Sequence, residues 1–201
     1  MQKRYKTALT IAGSDSSGGA GIQADIKTFS ALGCYAMSVI TALTAQNTTG
    51  VRAIHAVPPE FAAEQLEAVF TDIPPDSVKI GMLYSAELIE TVAWMLAKHN
   101  ARNIVLDPVM AAQSGDRLLQ EEAVEAVKSH LMPLASVVTP NLSEAGIILK
   151  RNVRNVSDME KAARDLSKFG SGSILVKGGH LEGDKSTDIL FTPSRDRLIH
   201  I

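Results

Sequence analysis

Short apolar runs alternate with amphipathic stretches along almost the whole chain, and that alternation restricts it to a mostly parallel sheet covered by helices on both faces. Parallel-type strands are predicted at 8–12, 35–44, 51–57, 77–80, 103–107, 136–139 and 173–177, with an antiparallel pair at 188–191 and 197–201. A helix at 20–32 places Ile22, Ile26, Phe29 and Leu32 on one face and stops at Gly33. Pro58-Pro59 opens a helix to residue 70. Ser85 caps the next, and others are expected at 120–131 and after Asn141. Ser157 with Glu160 has the capping-box pattern for a helix to 169.

In open sheets of this kind, ligands gather beyond the carboxyl ends of the strands. The punctuation there is Gly13-Ser14-Asp15, Gln46-Asn47, Gly81-Met82, Asp107-Pro108, Pro140-Asn141 and Gly178-Gly179.

Composition removes several classes of function. The chain has 201 residues, 45% hydrophobic and 21% charged, which suits one domain with a sizeable core. A formal net charge of −2 with no basic block leaves nucleic acid no electrostatic footprint. No apolar run approaches the roughly 20 residues that span a bilayer. The one cysteine, Cys34, excludes an internal disulfide and reads as a small buried filler, so a reducing, cytoplasmic setting is expected. Five scattered histidines offer no metal spacing, although His180 adjoins the 178–179 glycine pair.

The segment 19–24, Gly-Ala-Gly-Ile-Gln-Ala, matches the dinucleotide fingerprint G-x-G-x-x-G/A between a strand and a helix. The match fails in context. That site needs an acidic residue about 20 positions on for the ribose hydroxyls, and after Asp25 the next acid is Glu60. No G-x-x-x-x-G-K-[ST] occurs either, so ATP is not held by a P-loop. The 16–19 loop is either a flexible turn or a set of backbone N–H groups facing a substrate.

Charged residues at strand ends suit phosphoryl transfer, which asks for positioning, a metal on the phosphate oxygens and cations over the migrating charge. Asp107 is either a turn initiator before Pro108 or a ligand for Mg2+. Asn141 with Glu144 is either a helix cap or an amide and a carboxylate offered to a metal–phosphate group. Lys177 leaves a buried strand beside two glycines, where it can approach a polyphosphate closely.

Seven segments in order, 12–25, 39–48, 79–83, 105–110, 114–116, 139–145 and 176–180, resemble the motifs of the hydroxymethylpyrimidine/phosphomethylpyrimidine kinase family. The resemblance runs from about residue 8 to 191. It implies a ribokinase-like three-layer α/β/α fold, with ATP and Mg2+ as cofactors and a homodimer as the expected assembly. Gln46 would read the aminopyrimidine edge, since an amide offers both a donor and an acceptor. Gly13, Asp25, Met82 and Val109 would line the substrate pocket. Asp107 and Glu144 would handle the metal, and Asn141 and Lys177 the ATP phosphates.

The family pattern continues into a Gly-Thr-Gly-Cys loop that forms an anion hole and supplies a base. Residues 1–201 contain no such loop. They are therefore expected to be one kinase domain, incomplete at its C-terminus. Two rivals share these residues: pyridoxal kinase, against which Gln46 argues, and a non-catalytic pyrimidine-binding protein.

Overall fold

The computed structural model describes residues 4–110, 121–179 and 186–201. Its strands are β1 (Thr7–Ala12), β2 (Tyr35–Ile40), β3 (Ala42–Asn47), β4 (Gly50–Ala56), β5 (Ser77–Ile80), β6 (Ile104–Leu106), β7 (Val137–Val138), β8 (Ile174–Val176), β9 (Ile189–Thr192) and β10 (Arg197–His200). Its helices are α1 (Gly21–Ala31), α2 (Pro59–Asp72), α3 (Ala86–Lys98), α4 (Glu121–Ala126), α5 (Leu142–Leu149) and α6 (Val156–Ser167), with α4 running on through a π-helical turn at Val127–Leu131.

Eight strands form one sheet in the order β10-β9-β8-β7-β6-β5-β1-β2. From β2 to β8 every neighbouring pair is parallel, and β9 and β10 follow in antiparallel fashion. β1 is buried at every residue, while β5, β6 and β8 bury Val78 and Ile80, Ile104 and Leu106, and Ile174 and Val176 and leave the residues between these partly exposed. This is the expected α/β architecture. The chain moves outward from β1 to β2, then crosses back to place β5 on β1's other side. That reversal is a topological switch point, and it opens a crevice at the carboxyl ends of β1 and β5.

Three sequence expectations need correction. The run 35–44 is two strands broken at Thr41, and β3 leaves the main sheet to pair with β4 as a separate antiparallel hairpin. The break has a physical cause. Thr41 N–H donates to the Ala12 carbonyl (3.0 Å), and its hydroxyl donates to the Met82 carbonyl (2.8 Å). The bend is therefore anchored on β1 and on the chain just after β5. Leu32 does not join the buried face of α1; it is 75% exposed, while Ile22 is buried. The cap of α6 is Asn155, which accepts from Asp158 N–H at 2.9 Å, two residues before the expected Ser157.

Candidate active site

At the switch point, Gly13 follows β1, and Gly81 with Met82 follows β5. A Cβ on Gly13 would sit 2.8 Å from Met82 Cε, so glycine lets these two residues form one surface. The first residues of β3 adjoin the chain after β1, with Ser14 N–H donating to the Ala42 carbonyl at 2.8 Å. Gln46 lies on β3 at a bulge, where the pairing register shifts between Ala45 and Gln46. A bulge re-aims its side chain relative to a regular strand.

The loop from β1 to α1 is built differently from either sequence reading. Asp15 is buried, and its carboxylate accepts from the N–H groups of Ser17 (2.8 Å), Gly19 (3.0 Å) and Ala20 (2.8 Å) and from the Ser17 hydroxyl. Gly18 N–H donates to the Asp15 carbonyl. These N–H groups turn inward and close the loop on itself, so they do not face a substrate. Burial by itself would raise the Asp15 carboxyl, but the bonds from Ser17, Ala20 and Gly19 together outweigh it and hold it below the usual carboxylate range. The sequence reading missed Asp15's role. An Asp two residues before Ser17, in an Asx-turn spacing, was the available signal.

Asp25 lies on α1 against the sheet. It accepts from the Thr10 hydroxyl at 2.6 Å and pairs with Lys79 at 2.9 Å. Thr10 and Lys79 are themselves register partners on β1 and β5. The structure thus ties Asp25 to the strands that flank the switch point.

Further along the carboxyl edge, Asp107, Asn141 and Lys177 follow the adjacent strands β6, β7 and β8. Lys177 Nζ lies 2.8 Å from Asp107 Oδ1, and the Thr139 hydroxyl reaches the same oxygen at 3.3 Å. Asn141 and Glu144 form a full capping box on α5. The Asn141 side chain accepts from Glu144 N–H (2.9 Å), and Glu144 Oε2 accepts from Asn141 N–H (2.7 Å). Glu144 is nonetheless no ordinary cap, being only 5% exposed. Burial pushes its carboxyl up to about 7, with Asn141 N–H and the Lys177 ammonium pulling it back and Asp107 adding to the rise. Two carboxylates and one ammonium therefore share one field.

Gly178 N–H is already taken by Asp188 at 2.8 Å, a partner the sequence reading did not single out; Gly179 is open to solvent. Val109 is half-buried, and its N–H folds back to the Asp107 carbonyl. His180 and the 114–116 motif lie outside the described residues.

Two concavities of about 460 and 570 Å³ lie elsewhere, one beside α5 at Gly146 and Arg151, the other at Glu90 and His130. Neither contains any residue of the strand-end cluster. Chemistry rather than size locates the site, since the raised, buried Glu144 carboxyl in the field of Lys177 and Asp107 marks it.

A family model described as phosphomethylpyrimidine kinase matches residues 15–200. The chain is 54% identical over 185 residues to a thiamine biosynthesis bifunctional protein of Geobacter sulfurreducens, covering 92% of this chain and 38% of that protein. It is 52% identical over 186 residues to the hydroxymethylpyrimidine/phosphomethylpyrimidine kinase of Escherichia coli K12, covering 92% of this chain and 70% of the relative. Among solved structures, a phosphomethylpyrimidine kinase from Clostridium difficile 630 superposes with a TM-score of 0.89 at 49% identity, covering 97% of this chain and 83% of that one. A pyridoxal kinase from Staphylococcus aureus, in complex with AMP-PCP and pyridoxal, has a TM-score of 0.85 at 38% identity, covering 95% and 69%.

Proposed function

The chain belongs to the phosphomethylpyrimidine kinase family, and from that premise we propose that it transfers the γ-phosphoryl group of ATP to the hydroxymethyl oxygen of 4-amino-5-hydroxymethyl-2-methylpyrimidine, and then phosphorylates the monophosphate, in thiamine biosynthesis. The observation that carries the proposal is the meeting of Asp107 and Lys177, at the ends of β6 and β8, with Glu144 in the first turn of the helix that follows β7 between them. In this reading Lys177 and Asn141 meet the ATP phosphates, with Lys177 neutralising charge on the migrating group.

Asp107 and Glu144 would hold Mg2+. The donor set fits: Asp107 and Glu144 are hard oxygen donors close enough to feel each other's charge, and the phosphates would supply the other oxygens. When bound, the ion would neutralise phosphate charge. Gly13, Met82, Val109 and Asp25 would surround the pyrimidine, and Gln46 would pair with its amino edge. The pyrimidine is favoured over pyridoxal because the pyridoxal kinase is the more distant in sequence, at 38% against 52% and 49%.

The test of the substrate is calorimetry with hydroxymethylpyrimidine and with pyridoxal. The pyrimidine should bind more tightly, and Gln46→Leu should weaken it by about 10- to 100-fold, the cost of polar atoms left unpaired. An affinity unchanged by Gln46→Leu would remove Gln46 from the site, and a preference for pyridoxal would overturn the substrate assignment.

No helix among the described residues is long and apolar enough to cross a membrane, and a cytoplasmic location goes with the proposed pathway. A homodimer is part of the same proposal, supported by apolar side chains left open on β2 and β3, Tyr35 and Leu43. Sedimentation equilibrium at micromolar protein should give twice the chain mass; a single-chain mass would discard it.

A further inference from the structure

Gln46 does not hold itself in place. The loop after β1 runs beside β3, and hydroxyl groups make most of the joints. Ser14 N–H donates to the Ala42 carbonyl (2.8 Å), Thr44 N–H to Ser14 Oγ (3.3 Å), and the Thr44 hydroxyl to the Ser14 carbonyl (2.7 Å). Ser16 Oγ then donates to the Gln46 carbonyl at 2.6 Å and accepts the Gln46 N–H at 2.9 Å. That double contact falls at the bulge, where a strand's backbone groups lose their regular partners. One hydroxyl supplies both. The loop that carries Ser16 is in turn locked by Asp15.

The Gln46 side chain has a second constraint. Thr44 Oγ1 also lies 3.3 Å from Gln46 Oε1, but a hydroxyl has one proton. The Ser14 carbonyl, closer by 0.6 Å (3.3 less 2.7), takes it, which leaves two acceptors facing each other. A half-turn of the amide exchanges Oε1 for Nε2 at the same place, and the contact becomes a donor–acceptor pair. In that orientation one Gln46 N–H is spent on Thr44. The second N–H and Oε1 stay side by side for a ligand, the pair that matches an aminopyrimidine's ring nitrogen and exocyclic amine.

Resting on the proposed pyrimidine site, we infer that Ser16 and Thr44 are positioning residues, which fix the Gln46 amide so that its oxygen faces the substrate's exocyclic amine and the site discriminates for that amine. The experiment measures calorimetric affinity for hydroxymethylpyrimidine and for the same ring with hydrogen in place of the amine. Wild type should prefer the amine by about tenfold or more. Thr44→Val and Ser16→Ala should each lose most of that preference by weakening only the amine-bearing ligand, and Thr44→Ser should restore it.

Three results overturn the inference. Gln46→Leu could abolish the preference while Thr44→Val and Ser16→Ala keep it, which leaves the pyrimidine site standing and removes the two positioning residues. The Thr44 and Ser16 variants could weaken both ligands equally with a lowered melting temperature, which reduces both residues to scaffold. Gln46→Leu could leave both affinities unchanged, in which case the underlying site assignment falls too.

Discussion

Lys177→Ala is expected to lower turnover by about 10²–10³, the usual loss when one preorganised group over developing charge is removed. Thermal stability should hardly change. The Lys177–Asp107 pair is partly open to water, with the two side chains 38% and 25% exposed, and such pairs add little to folding. Glu144→Gln makes the matching case. Glutamine can still accept the Asn141 N–H, so the capping box and α5 survive, and burying a neutral amide replaces a carboxyl already pushed up to about 7. Turnover should nonetheless fall steeply, because an amide cannot replace a carboxylate on a metal–phosphate group. The assay is ADP release with hydroxymethylpyrimidine beside a thermal melt, on protein that includes the family's Gly-Thr-Gly-Cys region. Full turnover in Glu144→Gln would make Asn141-x-x-Glu144 a helix cap and nothing more.

Gly21→Ala should cost on the order of 2–5 kcal/mol, from a left-handed backbone and from overpacking together. Gly21 has φ of +56°, and a Cβ there would collide with the Gly13 carbonyl oxygen and lie 3.3 Å from Asp15 N. The Gly13 carbonyl cannot retreat freely, since it accepts the Ile22 N–H at 3.0 Å and so starts α1. A melting temperature lower by about 10 °C is the expected reading for a chain of this size; a shift under about 2 °C would mean the loop relaxes without cost. The same contact explains why the dinucleotide fingerprint misleads here. In a dinucleotide site the second glycine clears a path for a pyrophosphate. Here it clears a path for a carbonyl oxygen, which repels phosphate.

Much of the fold was legible because fully covered parallel strands must be apolar runs and their connecting helices must be amphipathic. The strand-end residues were legible for a related reason. Asp107 and Lys177 interrupt apolar runs at strand ends with charge, and Asn141 follows the next strand as a recognisable helix cap. Their convergence needed only that β6, β7 and β8 be neighbours in chain order, and they are. Local sequence likewise identified the caps Ser85 and Asn141. At α6 two capping patterns overlapped, and local chemistry did not separate Asn155 from Ser157.

Tertiary structure alone decided the rest. Residues 35–44 read as one strand because their composition is uniform, yet Thr41 breaks it through bonds to Ala12 and Met82, distant in the chain. Asp25 carries no local sign of its partner Lys79, which reaches it only because β5 is inserted beside β1. The burial of Glu144 and the clasp of Ser16 on Gln46 have the same origin. Periodicity and capping act within a few residues and are written in order along the chain. The pairing of strands far apart in sequence depends on the free energy of the whole sheet, and no short segment records it.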